Sequence, residues 1–124
     1  MYETPYDLFG MLSYQMWRAA RLVVDTGVHT KGWSREQAMR YMAEHSSMAA
    51  SDIEAEVERY MVWPGQALGY KAGQLRIAAL RREAERRQGA AFDIRAFHAE
   101  ILRDGSLPLD VLEAKLARWW GAAP

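Results

Sequence analysis

An all-α fold, an irregular bundle of about six helices, is the class this sequence predicts, and three observations predict it. No stretch shows sustained apolar/polar alternation rich in Val, Ile and Thr, the signal of a half-buried strand. The one β-branched cluster, Val23–Val24, sits inside a longer helical pattern. Apolar residues recur at helical spacing between start and stop signals of the kinds that bound helices. The length of 124 residues and the 50% apolar content suit one domain spanning residues 1–124.

The first helix is expected from about Tyr6 to Val24. Pro5 lacks only an amide hydrogen that a first turn leaves unpaired, and the Asp7 carboxylate meets the positive end of the helix dipole. Leu8, Leu12, Tyr14, Met16, Ala19, Leu22 and Val23 leave this helix apolar on most sides, which predicts burial on most sides. Arg18, Arg21 and Asp25 form its polar stripe, with Arg21 and Asp25 at ion-pair spacing. A loop is expected from Thr26 to Trp33, with glycine at both shoulders. Ser34 and Gln37 have capping-box spacing and start helix two, with Ala38, Tyr41, Met42 and His45 as its apolar stripe. Ser51 to Glu54 repeats the box and starts helix three, which carries Ile53, Val57 and Met61 and stops at Trp63-Pro64-Gly65. Helix four is expected from Gly65 to Gln88, stopped by Gly89. Its glycines 65, 69 and 73 lie on one face and predict a close backbone neighbour there. Asp93 caps helix five, with Ile94, Phe97, Ile101 and Leu102 inward, and Leu107-Pro108-Leu109 opens helix six.

Several function classes are excluded. With 16 Lys+Arg against 16 Asp+Glu, the chain has no net charge with which to hold a polyanion. A helix-turn-helix reading of helices two and three fails, because Asp52, Glu54, Glu56 and Glu58 would meet the phosphates. The basic stretch Arg76 to Arg87 is interleaved with Glu83 and Glu85 and reads as a solvated, internally paired face. The absence of cysteine excludes disulfides, thiol catalysis and cysteine-bound metals. The three histidines, His29, His45 and His98, include no pair at i, i+3 or i+4, so no helical zinc motif is present. No membrane span and no leader are visible, and the expected location is cytoplasmic by default.

Two side chains stand out as functional candidates. His29 is expected in the glycine-flanked loop, where scaffolds present catalytic imidazoles. Tyr70 shares one face with Gln66 and Gln74, and a tyrosine hydroxyl on a polar stripe can donate to a developing oxyanion. For each, the competing reading is a structural side chain with its polar atoms satisfied internally.

Two long strings are more specific than any single residue: Trp17 to His29, continuing Lys31 to Ala38; and Tyr60 followed by Trp63 to Lys71. With Phe92 to His98 and Leu107 to Glu113, they resemble the C-terminal end of the DUF885 family, in that family's order and over nearly the whole chain. The resemblance implies a segment of much longer, mostly helical proteins that look like gluzincin-type zinc metallopeptidases. Their His-Glu, Pro-Gly-His and Glu-Gly-Trp-Ala motifs do not occur here. The chain is therefore expected to be the terminal portion of such an enzyme, inactive alone and holding no cofactor itself, with zinc implied for the full-length family. By the same resemblance, His29 and Tyr70 are the candidate oxyanion stabilisers, converging in space, and Arg21 orients a carboxylate of substrate or protein. The implied substrate is peptide-like, and the implied partner is the missing N-terminal catalytic part. The alternative is a free-standing helical interaction module or homodimer that uses the wide apolar face of helix one.

Overall fold

The computed structural model describes residues 2–121. Among them the elements are α1 (Pro5–Lys31), α2 (Arg35–Glu44), α3 (Ala50–Val62), α4 (Leu68–Gln88), α5 (Ile94–Leu102) and α6 (Leu109–Gly121), with a short 3-10 turn at Gly89–Ala91 and no strand. The all-α class is as expected. The chain divides into two compact units, residues 1–72 and 73–124.

In the first unit α1, α2 and α3 pack against one another. Thr4 caps α1: its hydroxyl accepts from the Asp7 amide at 3.2 Å and its own amide donates to Asp7 Oδ2 at 2.9 Å. The helix then runs to Lys31, well past the expected end at Val24, so the stretch from Thr26 to Lys31 is helix and not loop. Thr26 and Thr30 return their hydroxyls to the carbonyls of Leu22 (2.5 Å) and Thr26 (2.6 Å), one turn back. Gly27 is a helix-interior residue because the Trp33 indole lies against it; a Cβ there would sit 2.5 Å from the ring. The helix stops at Gly32, whose φ of 67° is left-handed, and Trp33 N–H donates back to Gly27 O at 3.0 Å.

Ser34 and Gln37 form the expected capping box on α2, with Ser34 N–H donating to Gln37 Oε1 at 2.8 Å. α3 departs from expectation. Its N-cap is Ala49, without a side-chain cap, and the Ala49 carbonyl already accepts from Ile53 N–H at 3.0 Å. Ser51 thus lies within the first turn. Val24, Ala38, Met42, Val57 and Tyr60 are essentially sealed from solvent, with Ala20, Ile53 and Ala67 around them.

α4 starts at Leu68 instead of Gly65, because Gly65 adopts a φ of 79° that no α-helix continues through. A methyl group added at Gly65, Gly69 or Gly73 would meet nothing within 4 Å, so among the described residues no backbone approaches that stripe and the close-packing expectation is corrected.

In the second unit Leu80 and Ala84 of α4, Phe97 of α5, and Leu112 and Leu116 of α6 form a separate core, flanked by Phe92, Ile101 and Trp119. Leu102, expected inward, is exposed. Asp93 caps α5 by accepting from Arg95 N–H at 2.8 Å. Lys115 is buried and satisfied: its ammonium donates to Glu100 O at 2.5 Å and lies 2.8 Å from Asp104. The charged end of α4 is internally paired as expected. Glu83 accepts from Arg86 and Arg87, which together hold its carboxyl down at about 2.

Gly27→Ala tests the stacking of Trp33 on α1. Helix propensity alone would favour alanine by about 1 kcal/mol. The methyl group instead meets the indole, so the expected result is a net loss of about 1–3 kcal/mol in urea unfolding.

Candidate functional site

The polar residues of the first unit converge on Arg21. One turn N-terminal to it on α1, Trp17 lays its ring under the guanidinium, whose carbon is 3.9 Å from the ring centroid. Arg21 is only 5% exposed. Its Nε donates to Tyr60 Oη at 3.0 Å and its Nη2 to Glu56 Oε2 at 3.0 Å. Both acceptors come from α3, where residues four apart share a face. Tyr60 Oη in turn donates to Glu56 Oε2 at 2.6 Å, closing a three-membered ring of hydrogen bonds. Burial pushes the Tyr60 hydroxyl up from its ordinary value, and the hydrogen bond it gives to Glu56 reinforces this, so it keeps its proton. Burial also pushes Glu56 up, but the hydrogen bonds from Arg59 and Tyr60 and the charges of Arg21 and Arg59 together outweigh it. The carboxyl is held below its usual range.

From Glu56 the network continues outward. Arg59 donates to Glu56 Oε2 at 2.8 Å and to Gln66 Oε1 at 2.5 Å. Gln66 then donates through Nε2 to Tyr70 Oη at 3.3 Å. Arg59 thus fixes which end of the Gln66 amide faces Tyr70. Since Tyr70 accepts from Gln66, its own O–H proton points elsewhere. Tyr70 is half exposed, and its ring centroid is 5.1 Å from the Arg21 guanidinium carbon.

The shared face of Gln66 and Tyr70 expected from the sequence is therefore present. The Arg21–Asp25 pair is not. Arg21 takes Glu56, and Asp25, only 2% exposed, accepts from the Gly65 amide at 3.1 Å through both oxygens. Gly65 is where the chain reverses between α3 and α4, so Asp25 ties that turn to α1. Among the described residues, the carboxylate that Arg21 holds is that of Glu56.

His29 lies on the last turns of α1, exposed, with Nε2 2.8 Å from the Tyr60 carbonyl oxygen. A carbonyl only accepts, so Nε2 is the donor of this contact. His29 and Tyr70 are thereby linked through opposite ends of Tyr60: His29 binds its carbonyl, while Tyr70 stacks on the arginine that binds its hydroxyl. No hydrogen bond joins His29 to Tyr70 among the described residues.

Beside the network lies a cavity of about 390 Å³, walled by Tyr14, Trp17 and Met48 and edged by Ser13, Asp52 and Glu56. Among the described residues, no group of three His, Cys, Asp or Glu side chains is placed to hold a metal ion. No described helix is long and apolar enough to cross a membrane.

Sequence reasoning did not single out Glu56, Arg59 or Tyr60. Their spacing, i, i+3 and i+4 on one helix, was the available signal. It was masked because these carboxylates counted only as the charges that exclude a helix-turn-helix reading.

Helices paired in this way around a buried arginine define a compact helical segment, and comparison with known proteins says of which family. The family described as "Bacterial protein of unknown function (DUF885)" matches residues 1–116, and the chain belongs to it. A solved structure titled "The crystal structure of the putative lipoprotein from Colwellia psychrerythraea" is similar at 49% identity with a TM-score of 0.96. The match covers 99% of this chain and 21% of that one, so this chain spans about a fifth of the length of that relative. No curated protein matches.

Glu56→Gln tests the electrostatics of the cluster. The folded carboxyl titrates below its ordinary 4.5, so the stability it contributes is complete above that value and is lost as pH falls through the lower folded value. The gap in unfolding free energy between the parent and Glu56→Gln should therefore narrow as pH is lowered from about 7 to about 3. A gap that is flat or widens on acidification would contradict this assignment.

Proposed function

We propose that this chain is the C-terminal helical segment of a zinc-dependent peptidase of the DUF885 family, and that it forms one wall of the substrate cleft. The metal and the general base would come from the rest of the protein. The observation that carries the reading is the ordered chain Glu56–Arg59–Gln66–Tyr70, which leaves the Tyr70 hydroxyl proton free and half exposed. A phenol held as a donor in this way suits a peptide carbonyl oxygen as it gains negative charge. The Arg21 guanidinium beneath the ring supplies positive charge nearby without being consumed by the ligand, because Glu56 and Tyr60 already hold it.

His29 serves this reading differently from Tyr70. Its proton is committed to the Tyr60 carbonyl, so it would donate to an oxyanion only when protonated at Nδ1. Tyr70 is accordingly the principal oxyanion donor and His29 the secondary one. Arg21 is the group that positions Tyr60 and Tyr70. The cavity bounded by Tyr14, Trp17 and Met48 offers apolar surface for a peptide-like substrate. The description of the relative as a lipoprotein lends the cytoplasmic expectation no support.

Two measurements test the reading. The isolated chain, given zinc and a peptide library, should show no metal-dependent turnover. In a full-length family protein carrying this segment, Tyr70→Phe should lower kcat about 10²-fold with KM little changed. Robust turnover by the isolated chain, or an unchanged kcat in Tyr70→Phe, would overturn it.

A further inference from the structure

α1 is apolar on two sides, and only one of them is used within its unit. Ala20 and Val24 enter the core and Arg21 and Asp25 the polar cluster. On the other side Phe9, Leu12, Met16, Ala19 and Val23 follow alternating steps of three and four residues, the spacing of a helix–helix seam. Phe9 is 61% exposed, Leu12 and Met16 53% each, and Val23 38%. Leu8 widens the stripe. No charge interrupts it. The two charged residues of α1 between Leu8 and Val23 lie elsewhere, Arg18 over the Tyr14 ring and Arg21 over Trp17. The outward face of an ordinary surface helix is polar, and a contiguous exposed apolar stripe marks a contact surface.

We infer that this seam is the docking surface for an uncharged, apolar helix face contributed by the remainder of a longer DUF885 chain, packed along α1 from its first turns. The inference rests on reading this chain as a segment of a larger protein and not on the peptidase chemistry. Two observations select this occupant over a second copy. In the solved relative the same fold accounts for 21% of one polypeptide, so about four-fifths of that chain lies outside it. The seam is also small. From Phe9 to Val23 it runs about 21 Å at the helical rise, and with a helix width of about 10 Å it offers about 200 Å² a side. That falls well short of the roughly 800 Å² per partner of a stable free-standing interface. It is ample for a contact within one polypeptide, which does not bear the rotational and translational cost of association. The side chains of α1 that flank the seam, Leu8, Ser13, Gln15, Ala20 and Leu22, are uncharged, and the Lys71 ammonium beside it is held by Gln15. This fits a permanent, buried contact, since charges at such positions set partner choice between separate helices.

The chain contains no cysteine, so Met16→Cys introduces a single thiol in the middle of the seam. Its alkylation rate is measured in two proteins: the isolated chain, and a full-length Colwellia relative whose matching segment is replaced by this chain. Modification is read on the Met16 peptide by mass spectrometry. The expected result is rapid labelling of a monomeric isolated chain and labelling at least about 100-fold slower in the chimaera, equal again once both are unfolded. Equal rates in the two folded proteins overturn the proposal. So does an isolated chain that is dimeric by light scattering and becomes monomeric with Met16→Glu, because the occupant is then a second copy. A chimaera that does not fold while the Colwellia protein does also counts against it, because the seam then fails to fit the remainder. In the isolated chain, Leu12→Glu with Met16→Glu should leave Tm nearly unchanged, and a large drop would show that the seam is used internally. None of these readouts depends on catalysis, so an inactive chimaera with a protected thiol would defeat the peptidase reading and leave the docking inference standing.

Discussion

The first unit depends on how one buried guanidinium is satisfied. Arg21 enters an apolar environment between Trp17 and Tyr60, and a charge taken out of water there is tolerated only with partners of good geometry. Glu56 supplies the opposite charge and Tyr60 the neutral acceptor, and the two are themselves joined. Removing one member of such a buried pair typically costs about 3–5 kcal/mol, because the other is left uncompensated. The cluster therefore sets the register of α3 on α1. One turn of slip would break the arrangement in which Glu56 and Tyr60 together face the arginine.

Two further links follow from that register. His29 binds the Tyr60 carbonyl while Arg21 and Glu56 hold the hydroxyl of the same residue, and Asp25 holds the Gly65 amide where the chain turns back. That turn delivers Gln66, and then Tyr70 at the start of α4, to the outer edge of the same network. The orientation of the Tyr70 proton is thus a distant consequence of the charge on Arg21, transmitted through Glu56, Arg59 and one amide. A site assembled in this way is stiff, since Arg21, Glu56, Arg59 and Gln66 are each held by more than one hydrogen bond.

Much of the helical order was legible in the residues. Capping chemistry acts over three or four positions, so Ser34 with Gln37 and Asp93 could be placed without knowledge of the fold. The paired charges of Arg81 to Arg87 are equally local. The errors have a common cause. The stretch from Thr26 to Trp33 reads as a loop because glycine stands at both its shoulders, yet Trp33 folds back to fill the space that Gly27 leaves. The glycines 65, 69 and 73 looked like a packing face, and one of them is a left-handed turn residue while none meets a neighbouring backbone.

The sequence by itself determined the helical class, most of the caps and the membership of the DUF885 family, because these depend on short-range chemistry and on long contiguous motifs. It also marked Arg21, His29 and Tyr70 as residues of interest, though not what they touch. Only the tertiary structure decided that Arg21 pairs with Glu56 and leaves Asp25 to the Gly65 amide. Helical spacing offers only Asp25, four residues on along the same helix, whereas Glu56 lies on another helix. Packing of α3 against α1 chose between them, since a partner 35 residues away is selected by the core that Val24, Met42, Val57 and Tyr60 build together.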